Sequence, residues 1–303
     1  MYQIFVLLFI LGQGISVYAQ SRDTDPILFD KSTLLQHVKT LSSDAFEGRR
    51  TGTKGAIKTQ KYIINQFHSL GVKPLKKSFV QSFSFTKGRH QYNATNVLGL
   101  IKGTEKPNKY IVISAHYDHE GIKSGKIFNG ADDNASGVSA LFSFAEYFKT
   151  NPPKHSVIFA AFDAEELGIR GSKYFISNPE ISTKNIILNL NMDMISRSDK
   201  KELFVAGTAY NKSLKRLILN IKTQKNAKLV LSHDGYDGLD NWTYSSDHAS
   251  FHKADIPFLY FGVEDHKDYH EPTDDFKNIH PEFYKDAVNL IISVFEKVDR
   301  NPF

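Results

Sequence analysis

Apolar residues fall along this chain in two alternating rhythms. Tyr110 to Ala115 and Val157 to Phe162 are short, nearly continuous apolar runs, the pattern of strands buried on both faces of a mostly parallel sheet. Ile186 to Met192 is a third, less pure run, and Ile256 to Phe261 a fourth. Between the first two, Val138, Leu141, Phe142, Ala145 and Phe148 recur at helical spacing, which predicts a helix over Asn134 to Phe148 stopped by Asn151-Pro152-Pro153. Phe283, Ala287, Leu290, Ile291 and Val294 mark a last helix over Pro281 to Val298. Lys31 to Leu70 carries two short helical patterns, and Phe79 to Phe85 alternates as an edge strand would. Strands alternating with amphipathic helices predict an α/β fold, a three-layer sandwich with a mixed, mostly parallel central sheet flanked by helices.

Polar residues gather where these strands run out. His116 and Asp118 follow the first run, Glu165 and Glu166 follow Phe162-Asp163-Ala164, and Asp193 follows Asn191-Met192. In open α/β sheets ligands bind beyond the carboxyl ends of the strands, so the shared location outweighs any single motif. Each residue alone has a plainer reading. A lone His116 is a hydrogen-bonded strand-end histidine, Asp132-Asp133-Asn134 is a polar turn that caps a helix, and Glu165-Glu166 is a solvated helix start. Asp118 shifts the balance, because strand alternation puts it on the face of His116, where its carboxylate can accept the other ring N–H of a metal-bound imidazole. Asp193 lies in an apolar stretch and needs a partner. Tyr269-His270-Glu271-Pro272 closes the set. Two histidines and several acids from strand ends are what a two-zinc hydrolytic centre needs.

The order and wording of these motifs, from Ser114-Ala115-His116-Tyr117-Asp118 through Gly130-Ala131-Asp132-Asp133-Asn134 to His270, resemble the M28 family of zinc aminopeptidases over nearly all of the chain beyond Ser42. The resemblance implies a zinc-dependent exopeptidase-like fold and two zinc ions. It makes His116 and Asp193 the terminal ligands of one ion, Glu166 and His270 those of the other, and Asp133 the carboxylate shared by both. In this family the peptide after the bridging aspartate is often cis, here Asp133-Asn134. Glu165 resembles the general base that takes a proton from the metal-bridging water, and Tyr269 a phenol that stabilises the oxyanion. The implied substrates are peptides with a free N-terminus. Two other readings stay open: a glutaminyl cyclase-like enzyme with a single zinc, and a catalytically silent peptide-binding domain.

Composition sets the context. The chain has 303 residues, a net charge of +5 and no cysteine, so there is no disulfide framework and no lipid-attachment cysteine. Ile4 to Leu11 is an apolar core and Val17-Tyr18-Ala19 a cleavage-like triplet, which predicts a signal peptide over residues 1–19 and export to the periplasm or the medium. Gly12, Gln13 and Gly14 interrupt that stretch and make it short for a membrane span. No Gly/Ser-rich linker or repeat divides residues 20–303, so one peptidase domain is expected. The positive charge is scattered, which leaves nucleic-acid binding little support. Ser245-Ser246-Asp247-His248 holds the residue types of a serine triad, but triad members converge from separate elements, and these shape a substrate loop instead.

Overall fold

The computed structural model of the chain describes residues 28–301; the expected signal peptide lies outside them. The described chain opens with α1 (Lys31–Leu41) and α2 (Lys54–Ser69). Asp30 and Thr53 cap them, accepting from the backbone N–H of Thr33 and Ala56 respectively. The strands are β1 (Lys73–Pro74), β2 (Val80–Lys87), β3 (His90–Ile101), β4 (Lys106–His116), β5 (Gly121–Lys123), β6 (Lys126–Phe128), β7 (His155–Phe162), β8 (Ile186–Met192), β9 (Glu202–Ala206), β10 (Lys228–Leu231) and β11 (Phe258–Gly262). The remaining α-helices are α3 (Gly137–Tyr147), α4 (Arg170–Ser177), α5 (Lys212–Ile218), α6 (His248–His252) and α7 (Pro281–Arg300).

Nine strands form one mixed sheet in the order β1-β3-β7-β4-β8-β11-β9-β10, with β2 paired to β3. The central four, β7, β4, β8 and β11, are mutually parallel, while β3 and β9 run antiparallel to their inner neighbours. Alternation along β4 explains the layers. Ile111, Ile113 and Ala115 join the core shared with α1, α2, α3 and α7, whereas Val112 turns to the opposite core with Ile158, Phe162, Phe175 of α4 and Phe251 of α6. Burial on both faces is why β7, with all eight residues buried, reads as an unbroken apolar run.

Two boundaries differ from the periodicity. The helix expected from Asn134 begins at Gly137, because residues 131–136 form an irregular turn in which Asp133 and Asn134 leave helical geometry and the peptide between them is cis. The fourth strand begins at Phe258, not Ile256. The edge strand expected over Phe79 to Phe85 runs from Val80 to Lys87, and its only strand partner among the described residues is β3. Among the described residues, no helix is long and apolar enough to cross a membrane.

Candidate metal centre

Three neighbouring parallel strands end side by side, and their ends supply the site. His116 is the last residue of β4, Asp193 follows β8 directly, and Glu165 and Glu166 sit in the turn after β7, where Ala164 takes a positive φ of 59°. Asp133 comes from the irregular turn before α3, and His270 from the loop after β11. His116 Nε2 lies 3.1 Å from Asp193 Oδ1 and 3.3 Å from Asp133 Oδ1. His270 Nε2 lies 3.3 Å from Asp133 Oδ2 and 3.3 Å from Glu166 Oε2. The two oxygens of Asp133 therefore face two different groups of ligating atoms. All five residues expected to bind metal are brought together, and Glu165 and Tyr269 line the same cavity of about 450 Å³. Tyr269 stacks on the His270 ring at 3.9 Å.

The donor set fits zinc: imidazole nitrogens and carboxylate oxygens converge with no cationic side chain among them. The charges show what the cluster lacks. Burial alone would pull His116 down, but Asp193, Asp118 and Asp133 hold its pKa well above the usual range. His270 is raised to about 10, since hydrogen bonds to Asp133 and Glu166 overcome its burial. The carboxylates that raise both rings would equally stabilise a bound cation. The two adjacent glutamates are driven apart. Burial raises Glu165 well above the usual carboxylate range, whereas Glu166, also opposed by burial, is held at about 2 by hydrogen bonds from His119 and His270.

Three features were not read correctly from the sequence. His119 is fully buried, with Nδ1 2.9 Å from Glu166 Oε1 and 3.6 Å from Asp133 Oδ2, so it belongs to the centre. Its position three residues after His116, in the turn leaving the same strand, was the available signal. Asp118 meets His116 mainly through its backbone, with the carboxylate that was expected to accept the ring N–H at ion-pair distance. The strand has already ended, and the backbone carbonyl of Asp118 lies 3.0 Å from His116 Nδ1 while the carboxylate is 3.7 Å away. That carboxylate instead accepts from the backbone N–H groups of Glu165 and Glu166, at 3.0 and 3.3 Å, which fixes the turn carrying both glutamates. Arg49 is the third: a buried side chain whose guanidinium donates to the carbonyls of Leu41, Tyr117, Asn129 and Gly130.

The polar turn does cap its helix, through Asn134 Oδ1, which accepts from the Gly137 N–H at 2.9 Å. Asp132 is spent on structure, accepting from the backbone and hydroxyl of Ser196 and meeting His266 Nε2 at 3.1 Å. No serine triad assembles around Asp247-His248, because His248 Nε2 donates to the Trp242 carbonyl at 2.8 Å.

The sequence profile of peptidase family M28 matches residues 96–295, a stretch that holds every one of these ligating residues. The chain belongs to peptidase family M28. Aminopeptidase YwaD of Bacillus subtilis is 30% identical over 220 residues, covering 68% of this chain and 45% of that protein. The chain thus spans less than half the length of that relative. Among solved structures, a leucine aminopeptidase precursor from Bacteroides thetaiotaomicron superposes with a TM-score of 0.71 at 20% identity, covering 91% of this chain and 98% of the other. A glutaminyl cyclase from Fimbriiglobus ruber superposes with a TM-score of 0.69 at 19% identity, covering 91% and 97%. At these identities the superpositions establish the M28-type α/β fold and nothing finer.

Proposed function

We propose that this M28 chain is an exported di-zinc aminopeptidase that removes N-terminal residues from peptides. The observation that carries the reading is the sharing of Asp133, one oxygen toward His116 and Asp193, the other toward Glu166 and His270. His116 and Asp193 would hold one zinc, Glu166 and His270 the other, and Asp133 both, with His119 beside the second group. When bound, zinc supplies Lewis-acid polarisation of the scissile carbonyl and lowers the pKa of water.

The residues of the chain carry the rest. Glu165 lines the cavity with a carboxyl that burial makes basic, suited to accept a proton and pass it to the leaving amine. Asp118 holds the Glu165 backbone N–H, so the base is fixed by a buried contact and not by a mobile loop. The Tyr269 ring is held against His270, and its hydroxyl, kept protonated by a pKa raised through burial, is a donor available to an oxyanion. The free α-amine of a substrate would meet carboxylates at the same end of the cavity. Export rests on the apolar stretch Ile4 to Leu11.

The test compares a free peptide with its Nα-acetylated counterpart. Acetylation removes the charge that these carboxylates would pair, a loss of about 1.5–3 kcal/mol before any steric cost. Acetylated peptide should be cut at least about tenfold more slowly, and free peptide should release one residue at a time. Internal fragments of acetylated peptide at a comparable rate would overturn the exopeptidase assignment. A single zinc in fully active protein, with cyclisation of N-terminal glutamine, would favour the cyclase reading.

A further inference from the structure

A second group of ligating side chains gathers at the outer wall of the same cavity. One ligand atom from each of His233, Asp240 and Glu264 lies within 4.8 Å of the others. His233 is fully buried just after β10, with its ring stacked face to face on Trp242 at 3.5 Å and edge-on to Phe204. Its Nδ1 lies 3.0 Å from the backbone carbonyl of Asp240, which can only accept, so Nδ1 carries a proton and Nε2 is the nitrogen left to bind a cation. Nε2 is buried, has no hydrogen-bond partner, and lies 3.3 Å from Glu264 Oε1.

A ring nitrogen and a carboxylate oxygen this close need a positive charge shared between them, a proton or a metal ion. The separation suits a metal ion of zinc size. Two ligand atoms about 2.0–2.1 Å from one ion at a tetrahedral angle are about 3.3 Å apart. The same spacing separates His270 Nε2 from Glu166 in the centre built on Asp133. A histidine that binds metal through one nitrogen while the other donates to a backbone carbonyl is the usual supporting arrangement. Asp240 adds to this hold: its Oδ1 lies 3.2 Å from His233 Nδ1, and its Oδ2 accepts from the Trp242 indole at 2.7 Å.

We propose that His233, Glu264 and Asp240 form a further divalent-cation site of zinc type, separate from the Asp133 centre. His233 binds through Nε2 and Glu264 through its carboxylate, while Asp240 orients the ring. Glu264 and Asp240 are more than half exposed, which leaves the outer positions to water. An ion there ties residues 232–241 to the end of β11 and holds Trp242 in the cavity wall. The site does not depend on the peptidase reading.

Trp242 is the only tryptophan in the chain and stacks on the proposed ligand, so its fluorescence reports the site directly. Two measurements on the full chain, wild type and Glu264→Gln, test the proposal; Glu264 is exposed enough for its variant to fold. Equilibrium dialysis against buffered free zinc should give one ion more per chain in the wild type. The difference is the readout, whatever number the Asp133 centre holds. Cobalt titrated into metal-depleted protein should quench Trp242 saturably, with a component at least about tenfold weaker in Glu264→Gln. Equal zinc contents with the same quenching in both proteins, or no saturable quenching in the wild type, would overturn the site and leave His233 and Glu264 as an ion pair.

Discussion

Removing the Arg49 guanidinium should destabilise the protein and loosen the metal centre together. The side chain is 1% exposed. Its Nε donates to Tyr117 at 2.9 Å, Nη1 to Leu41 and Asn129 at 2.8 and 2.5 Å, and Nη2 to Gly130 at 2.8 Å. Tyr117 adjoins His116 and Gly130 lies three residues before Asp133, so one side chain joins the two segments that carry these ligands. Arg49→Met keeps most of the length and leaves the buried carbonyls of Leu41, Tyr117 and Asn129 without donors, at about 1–3 kcal/mol each, while Gly130 keeps the Ala135 N–H. Against that stands the cost of burying the cation, which pulls its pKa down to about 10 and is worth about 3 kcal/mol. Allowing for carbonyls that turn toward water, the net loss should be about 3–5 kcal/mol. For a chain of this size that is a fall in Tm of roughly 6–10 °C. Urea and thermal unfolding of the full chain measure it, and zinc affinity should drop in parallel. Arg49→Lys, with the charge but not the fork, should fall between. A Met variant within about 0.5 kcal/mol of wild type, the range of an ordinary surface change, would refute the reasoning.

Glu165→Gln should keep its metal while kcat falls by roughly 10²-fold or more, whereas Glu166→Gln should lose metal and recover partly in excess zinc; elemental analysis beside turnover separates the two. His119→Gln should weaken zinc binding about 10–100-fold, measured by competition with a chelating dye, because His119 Nδ1 lies 2.9 Å from Glu166; unchanged affinity would remove it from the centre. His37, buried against Phe142, is pulled down to about 4 by burial. Its neutral form is the one the fold prefers, so its contribution is intact above about pH 6.5 and is lost as pH falls through 4, by about 2–3 kcal/mol. His37→Gln should therefore lose less stability between pH 7 and 4.5, read as the change in urea midpoint.

The parts of the fold that periodicity reveals are those buried on both faces. β4, β7 and β8 read as apolar runs because helices cover the sheet above and below, and α7 reads as a stripe because its apolar residues pack on the core, although polar residues such as Asp286 and Asn289 are buried beside them. β3 escaped because its first half leaves the sheet with β2, so His90, Gln91 and Asn93 are exposed and polar. The ligands were legible because strand ends bring them together whatever the loops do. Arg49 and the Asp118 carboxylate were not, since their partners are backbone groups, and a carbonyl or an amide has no signature in a sequence. His119 was harder to pick out: in the run Asp118-His119-Glu120 the only signal is its place three residues after His116, and the strand alternation that marks His116 has ended.

Glu165 and Glu166 show how one turn yields two chemistries. The residues are adjacent, follow the same strand, and have their backbone N–H groups held by the same Asp118 carboxylate. Successive side chains still leave the turn in different directions. Glu166 points at His119 and His270, whose hydrogen bonds outweigh its burial and hold it at about 2, which suits the ligand role proposed for it. Glu165 points into the cavity, where burial is the largest influence and Asp193, Asp247 and Glu166 add repulsion, so it takes up a proton far more readily. Paired carboxylates whose surroundings drive them apart divide the roles of charge holder and proton carrier. Exchanging the two environments needs no change of residue type, only of direction. The Glu-Glu pair is therefore specified by the turn, and the turn by Asp118, a third acid whose carboxylate accepts both backbone N–H groups.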